Sequence, residues 1–190
     1  NNYRLSGPRA SRRIRASGAN REESPLSITP DTIAQVANLL GREPRGLEEI
    51  AVTRPDGQPA VIRVASLVDD KPFPTLFWLI DPELCYRIDQ VEARGLIKQL
   101  QGRIDRDPGL QDAMREDHRA HIKLRETHMT PAIKQRLVAL GFDAVFARKG
   151  IGGIADFSRI RCLHTWYGAH LVVPNTVGAL LDEYWQQTAD

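Results

Sequence analysis

The stretch that decides the fold is residues 72–82, which read Pro72-Phe73-Pro74-Thr75-Leu76-Phe77-Trp78-Leu79-Ile80-Asp81-Pro82. Five consecutive apolar residues, 76–80, are typical of a strand buried on both faces, and the two prolines before them exclude a helix there. Asp81-Pro82 then has the pattern of a helix start, a capping side chain followed by proline in the first turn. The chain therefore changes from strands to helices at this point.

Before this stretch, the sequence predicts one helix and two short strands. The helix begins at Thr29-Pro30 and ends at Gly41. The strands cover residues 50–52 and 60–64. Pro55-Asp56-Gly57 between them favours a turn, because proline fixes φ and glycine accepts a positive φ.

After this stretch the pattern is helical. We predict helices over 82–94, 96–104, from Asp107-Pro108 onward, from Thr130-Pro131 to Gly141, over about 157–171 and over 175–187. The whole chain is therefore expected to have an α+β fold, with a small, mainly antiparallel sheet from the first half packed against a helical second half.

Composition predicts a soluble protein with one folded domain. The chain has 190 residues, of which 42% are hydrophobic and 26% charged. We expect a disordered basic tail over residues 1–25 and a single globular α+β domain over 26–190. Two cysteines do not make a disulfide framework and favour a reducing cytoplasm. An apolar run of about 18 residues is absent from the sequence, so we expect no membrane span.

The predicted tail carries the basic character of the chain. It holds six arginines and two glutamates, whereas the remainder is mildly acidic. Such an arm could contact nucleic acid or an anionic membrane, and in the interaction-module hypothesis it contacts a protein partner. A solubilising extension is the favoured interpretation, because the tail lacks interleaved aromatic residues for base stacking.

Polar residues with chemical potential occur first on the helix after Asp107-Pro108. His118, His121 and Arg125 follow at spacings of three and four, which places them on one face. Two such histidines could share a metal or an anion. The alternative is a solvated helix face, since charged residues surround them in the sequence.

A glycine segment follows, Arg148-Lys149-Gly150-Ile151-Gly152-Gly153. Its backbone N–H groups could converge on an anion beside the two cations. It is not a Walker loop, because the lysine precedes the glycines and no Gly-Lys-Ser/Thr sequence follows. It also differs from the Gly-x-Gly-x-x-Gly fingerprint of dinucleotide-binding proteins. A plain turn is the alternative.

Cys162, His164 and His170 form the third polar group. They could bind zinc with further help from His118 or His121, or Cys162 could be a nucleophile activated by a histidine. Core packing is the alternative for Cys162. In one helix Cys162 and His164 would project about 200° apart, so they share a site only if the helix begins after them.

Several segments together carry a family resemblance. They are Leu40–Gly46, Pro72–Leu79, Glu92-Ala93-Arg94-Gly95, Gly152-Gly153, Arg161-Cys162-Leu163-His164, Ala169-His170 and Asn175-Thr176-Val177-Gly178. The chain resembles the bacterial domain of unknown function 501 family over roughly residues 36–180. Family members often carry a cysteine pair where this chain has residues 52–57, which argues against an essential metal site at that position. The resemblance implies no established activity, although genes of the family lie near exopolyphosphatase genes, which suggests phosphate-bearing ligands.

The leading functional hypothesis is a polar pocket that binds a phosphate-bearing or other anionic small molecule. Whether the protein is an enzyme is left open, and hydrolysis of a phosphate ester or phosphoanhydride is the first reaction to test. His121 and His164 are the candidates for acid–base work, because imidazole titrates near neutral pH. The candidate ligand-binding residues are Thr75, His118, Arg125, Gly150, Gly152, Gly153, Arg161, Cys162, His170 and Asn175. No residue is assigned to a metal, and no cofactor is specified. The alternatives are a non-catalytic protein-interaction module and a zinc-stabilised domain.

Overall fold

The computed structural model describes residues 28–188, so the predicted tail at residues 1–25 lies outside the described residues. In the described part, all strands lie between residues 47 and 79, and every helix except the first follows them. In chain order the elements are α1 (Pro30–Leu40), β1 (Leu47–Thr53), β2 (Pro59–Val64), β3 (Leu67–Val68), β4 (Lys71–Pro72), β5 (Phe77–Leu79), α2 (Pro82–Ala93), α3 (Leu96–Asp105), α4 (Pro108–His128), α5 (Pro131–Ala139), α6 (Asp143–Arg148), α7 (Leu163–Val172) and α8 (Thr176–Gln187).

Three strands form the main sheet in the order β1-β2-β5, and both pairings are antiparallel. Ile50 pairs with Ile62 on one side of β2, and Val61 pairs with Leu79 on the other. The β1–β2 turn contains Gly57 at φ 84°, as the turn pattern predicts. A further hairpin consists of β3 and β4, which have only two residues each. Strands this short show no alternation of apolar and polar residues in the sequence, so the hairpin was not predicted.

The two faces of this sheet pack against different helices. On one face Ile62, Val64 and Ile80 form a cluster with Val36 of α1. On the other face Val61 and Phe77 join the larger core built from α2, α3, α4, α7 and α8. Alternate residues of β2 point to opposite faces, which explains why one strand serves both cores. The α+β prediction is confirmed.

The edge strand β5 is covered by α7. A Cβ atom placed on Gly168 would lie 3.1 Å from the backbone nitrogen of Leu79, a tighter contact than most Cβ atoms make, so the absence of a side chain helps the helix to approach the strand closely. The apolar run 76–80 is accordingly buried or half-buried throughout, as expected for a strand enclosed on both faces.

Four predicted helix starts are confirmed by their caps. In each, a side-chain oxygen accepts a hydrogen bond from a backbone N–H of the first turn, and proline occupies the first helical position. The capping residues are Thr29, Asp81, Asp107 and Thr130.

The predicted start of α7 at about residue 157 is wrong by six residues. Asp156 Oδ1 accepts hydrogen bonds from the backbone N–H of Ser158 (3.0 Å) and from its hydroxyl (2.7 Å), which holds a turn in place of a helix. The Ile160 N–H then donates to Gln101 Oε1 at 2.9 Å. Helix α7 therefore begins only at Leu163, and this later start decides the geometry of the site described below.

Within residues 28–188, no helix has both the length and the apolar character needed to cross a membrane.

Candidate functional site

Cys162 and His164 meet at the start of α7. Cys162 is the residue before the first turn and has an extended backbone (φ −152°, ψ 123°), whereas His164 lies within the first turn. The Cys162 Sγ atom is 3.7 Å from His164 Nδ1. Helix α7 begins between the two residues and not after both of them, as the sequence condition required. Because Cys162 lies outside the helix with an extended backbone, the two side chains nevertheless share one site.

The other ring nitrogen of His164 faces helix α2. His164 Nε2 lies 3.3 Å from the Cys85 carbonyl oxygen and 3.3 Å from Asp89 Oδ1. Both atoms are acceptors, so Nε2 carries the hydrogen and donates it. In the neutral imidazole, Nδ1 then presents its lone pair toward Cys162.

Glu92 completes this group from the last turn of α2. Its Oε1 accepts a hydrogen bond from the Leu163 N–H at 2.6 Å and lies 3.7 Å from His164 Nδ1. Within the described residues, Glu92, Cys162 and His164 form a group whose potential ligand atoms all lie within 4.8 Å of one another. We call these three residues the Glu–Cys–His centre.

The electrostatics of the centre lower the pKa of the Cys162 thiol and raise that of the His164 imidazole. Burial acts to raise the pKa of Cys162, but hydrogen bonds from His164 and the Thr165 amide outweigh it, and the pKa lies below its ordinary value. The hydrogen bond with Cys162 and the charges of Cys162, Glu92 and Asp89 raise the pKa of His164 in spite of burial.

The second cysteine behaves differently. Burial, together with Asp89 and Asp81, raises the pKa of Cys85 to about 11, so its thiol is neutral. Its Sγ lies 3.7 Å from the Leu79 carbonyl oxygen. Cys85 therefore contributes its carbonyl to the centre and not its sulfur.

Comparison with known proteins gives a family. The family model described as "Protein of unknown function (DUF501)" matches residues 50–183. The chain belongs to the DUF501 family. This confirms the resemblance seen in the sequence, and all three residues of the Glu–Cys–His centre lie within the matched segment. No curated protein and no solved structure matched the chain.

In this DUF501 protein, His118 is a packing residue. It is fully buried, and its Nδ1 accepts a hydrogen bond from the Ile151 N–H at 3.0 Å. Its ring stacks on Phe157 and meets Trp166 edge-on. A Cβ on Gly150 would lie 2.1 Å from the ring, so this glycine is required by space. Burial lowers the pKa of His118 to about 4, which keeps it neutral.

Arg125 holds loops together instead of facing solvent. Its fully buried guanidinium donates to the carbonyl oxygens of Pro74 (2.8 Å), Phe146 (2.5 Å) and Lys149 (2.7 Å). A cation enclosed in this way does not reach an anion in solvent. The prediction that Arg125 binds the ligand is therefore replaced by a structural role.

The glycine segment is also bonded internally. Gly150 N–H donates to the Ile154 carbonyl at 2.8 Å, and Gly153 N–H donates to the Gly150 carbonyl at 3.0 Å. Gly152 and Gly153 have positive φ values of 64° and 70°. Because these amides point to neighbouring backbone and the Ile151 amide to His118, the segment is a turn that packs on α4 and is not a cradle for an anion.

His121 lies apart from the Glu–Cys–His centre. It lines a mainly apolar cavity of about 240 Å³ together with Phe77 and Asn175. Burial, with smaller effects of Arg125 and His118, lowers the pKa of His121 to about 3. Its Nε2 is buried without a hydrogen-bond partner. A histidine this weakly basic stays unprotonated at neutral pH, which removes the reason for expecting acid–base work from it.

Asn175 and His170 support each other at the start of α8. Asn175 caps the helix through Oδ1, which accepts from Gly178 N–H at 2.8 Å, and its backbone N–H donates to His170 Nδ1 at 3.0 Å. His170 Nε2 lies 3.2 Å from Asp182 Oδ2. His170 lines a cleft of about 860 Å³, separate from both the cavity at His121 and the Glu–Cys–His centre.

Two further predicted residues, Arg161 and Thr75, lie outside the Glu–Cys–His centre. Arg161 is exposed and immediately precedes Cys162. Thr75 is half-buried, and its carbonyl accepts a hydrogen bond from Trp78 Nε1 at 3.2 Å. The structure therefore brings Cys162 and His164 together and distributes the other predicted residues among the core, the small cavity and the cleft.

The acidic members of these sites were missed at the sequence level. Cys85, Asp89 and Glu92 recur at spacings of four and three, which places them on one face of α2. That stripe was available to find Asp89 and Glu92. The same helix has a second, stronger periodic pattern, that of the apolar residues Leu84, Ile88 and Val91.

Proposed function

We propose that the protein binds a divalent transition metal through Glu92, Cys162 and His164, and that this metal is zinc. The observation that carries the proposal is the convergence of a carboxylate oxygen, a sulfur and an imidazole nitrogen within 4.8 Å. Sulfur, imidazole and carboxylate together form a donor set that suits zinc.

The spacing of the donors supports this proposal. Zinc bonds of about 2.3 Å to sulfur and about 2.0 Å to nitrogen at a tetrahedral angle separate the two atoms by about 3.5 Å. The observed separation of Cys162 Sγ and His164 Nδ1 is 3.7 Å. A metal could therefore be bound with little movement of either side chain.

Charge and outer contacts support it as well. Glu92 lies beside Cys162, whose pKa is lowered, and Asp89 contacts the other ring nitrogen of His164. A divalent cation would stabilise a thiolate next to these two carboxylates. The contact of His164 Nε2 with Asp89 and the Cys85 carbonyl is the arrangement that orients a metal-binding imidazole.

Three protein ligands leave a fourth tetrahedral position for water. All three residues are half-buried, so that position would be reached from solvent. Zinc with an open position can polarise an oxygen of a substrate and activate water. The phosphate-bearing ligand expected from the sequence would then bind to the metal, near the exposed Arg161, and phosphate esters are the first substrates to assay.

The direct test is metal titration of the full chain after chelation. We expect one equivalent of Zn²⁺ or Co²⁺ per chain, with thiolate-to-cobalt absorption for the latter. Cys162→Ser, His164→Gln and Glu92→Gln should each lower affinity by about tenfold or more. Cys85→Ser is the matched control and should bind normally, because its thiol is neutral and points to Leu79. Equal binding by the Cys162→Ser and Cys85→Ser variants would refute the proposal.

A second candidate function uses the same residues without a metal. Cys162 Sγ lies at the first turn of α7, beside His164 Nδ1, and Asp89 holds the opposite nitrogen. This order of thiol, imidazole and carboxylate is that of a cysteine nucleophile with its base and its orienting group. Iodoacetamide should then label Cys162 in the chelated protein much faster than Cys85. A metal-free protein that also shows equal labelling of both thiols would exclude both candidates.

A further inference from the structure

A cleft of about 860 Å³ lies away from the Glu–Cys–His centre. Its lining comes from the β1–β2 turn with Arg54, from the start of α2 with Asp81 and Glu83, and from the final helices with His170 and Asp182. This volume is within the range of small-molecule sites, about 300–1,000 Å³. The cleft is therefore large enough for a ligand of its own.

The cleft is acidic. Three carboxylates, those of Asp81, Glu83 and Asp182, line it together with a single guanidinium, that of Arg54. Arg54 lies 3.4 Å from Asp81 Oδ1 and 3.5 Å from Glu83 Oε2. Close charge-assisted hydrogen bonds measure about 2.7–2.9 Å. The contacts of Arg54 with the two carboxylates are longer, so Arg54 forms a close ion pair with neither of them.

Asp81 is the buried acid of this group. Its side chain is only 6% exposed. Oδ1 accepts hydrogen bonds from the N–H groups of Glu83 (2.8 Å) and Leu84 (3.1 Å) as well as from Arg54. Within residues 28–188, no donor bonds to its Oδ2, and this oxygen is not among the buried polar atoms that lack a partner, so it is reached from solvent. A ligand that enters the cleft could therefore donate to Oδ2 in place of water.

Asp182 is ionised and already oriented. Tyr167 Oη donates to its Oδ1 at 2.8 Å, and His170 Nε2 lies 3.2 Å from its Oδ2. Burial would raise the pKa of Asp182, but these hydrogen bonds and nearby Arg87 lower it overall. Its negative charge therefore persists at neutral pH and disfavours an anion in the cleft.

We infer that this cleft binds a small primary amine, with the ammonium group on Asp81 and the carbon chain along the apolar part of the wall. That part consists of Val52, Leu84, Leu171 and Val172. An ammonium supplies donors without acceptors, and Asp81 Oδ2 is an acceptor that bonds to no donor within residues 28–188. The inference does not depend on the metal proposal, since none of the three metal-binding residues lines the cleft.

The test compares three ligands with the same carbon skeleton on the full chain. n-Hexylamine, hexan-1-ol and hexanoate are titrated separately and followed by calorimetry and by NMR shifts. We expect hexylamine to bind at least about tenfold more tightly than hexanol, which corresponds to ~1.4 kcal/mol. Hexanoate should bind most weakly. Hexanoate binding as tight as that of the amine would overturn the inference.

Two substitutions localise the binding. Asp81→Asn should weaken hexylamine at least about tenfold while keeping the cap of α2, because asparagine caps as well as aspartate does. Arg54→Gln removes the competing cation and should tighten the amine. Asp112→Asn, which removes an exposed carboxylate elsewhere, is the control and should change nothing.

Amine bound to the Glu–Cys–His centre is a separate outcome and is distinguishable. Glu92→Gln should leave hexylamine affinity unchanged if the amine occupies the cleft. Loss of binding in Glu92→Gln but not in Asp81→Asn would place the amine on the metal and refute the inference.

Discussion

At the residue scale, the role of each polar side chain depends on the atoms that it contacts. The sequence reveals contacts between residues that are close in the chain, but not contacts between distant ones. It identified Cys162 and His164 as candidates because they were unusual residues close together. It could not identify Arg125 as a structural residue, since its three carbonyl partners lie 21 to 51 positions away. Partners so distant in the chain leave no local pattern.

Arg125 offers the clearest stability prediction of this kind. Arg125→Lys cannot reproduce three simultaneous donations, and each buried carbonyl left without a donor costs about 1–3 kcal/mol. We expect a loss of at least about 2 kcal/mol in the free energy of unfolding, measured by urea denaturation. The exposed Arg119→Lys on the same helix should stay within about 0.5 kcal/mol of the parent. Equal stability of the two variants would contradict the structural role.

The buried histidines predict how stability depends on pH. His118 and His121 have folded pKa values of about 4 and about 3, whereas an unfolded histidine titrates near 6.5. Their contribution is therefore complete above pH 6.5 and is lost as pH falls from there toward 4, because the unfolded chain takes up protons first.

His121→Leu tests this pH dependence. The substitution removes one titrating group and the unpaired Nε2 atom. Between pH 7 and pH 4.5, the variant should lose about 2 kcal/mol less stability than the parent, measured by denaturation at each pH. Parallel curves for the two proteins would show that His121 is protonated equally in both states.

At the element scale, helix starts were predictable where a cap and a proline coincide, and unpredictable where a side chain forms a turn. Asp81-Pro82 was placed correctly, whereas Asp156 and Ser158 delayed α7 beyond its predicted start. That delay brings Cys162 and His164 together. The exact boundary of α7 therefore decides the geometry of the candidate site, beyond what the presence of the helix alone would give.

The close contact of α7 with β5 gives a matched pair of glycine substitutions. Gly168→Ala would place a Cβ 3.1 Å from the Leu79 nitrogen, so helix and strand must separate, at a cost of about 1–3 kcal/mol. Gly102→Ala, inside α3, meets only the flexible end of Arg106 at 3.6 Å and should stabilise by about 0.5–1 kcal/mol. Thermal denaturation of both variants checks the opposite signs. A stabilised Gly168→Ala variant would contradict the packing.

At the scale of the whole molecule, the sheet lies between α1 and the helical half. The order of strands and helices followed from the sequence because periodicity changes at residues 76–82. The packing of two cores on opposite faces did not, since it depends on which alternate residues of β2 meet which helix.

Removing α1 tests this layering. A chain that begins at Arg42 exposes Ile62, Val64 and Ile80, each of which is nine-tenths buried or more. Three large side chains lose about 1.5–3 kcal/mol each when uncovered, so we expect loss of cooperative unfolding or a large fall in melting temperature. A chain that begins at Ser27 keeps α1 and is the reference for this comparison. Similar melting of both truncated chains would refute the contribution of α1.

The cover that α7 provides for β5 also has a consequence for synthesis. Gly168 lies about 90 positions after Leu79, and at about 5–20 residues per second the ribosome needs several seconds or more to produce it. During that interval the final helices do not yet cover the apolar face of the sheet. The uncovered edge of β5 can then pair with another nascent chain. The yield of folded protein should therefore depend on expression rate and on chaperones that hold the first half until the final helices emerge.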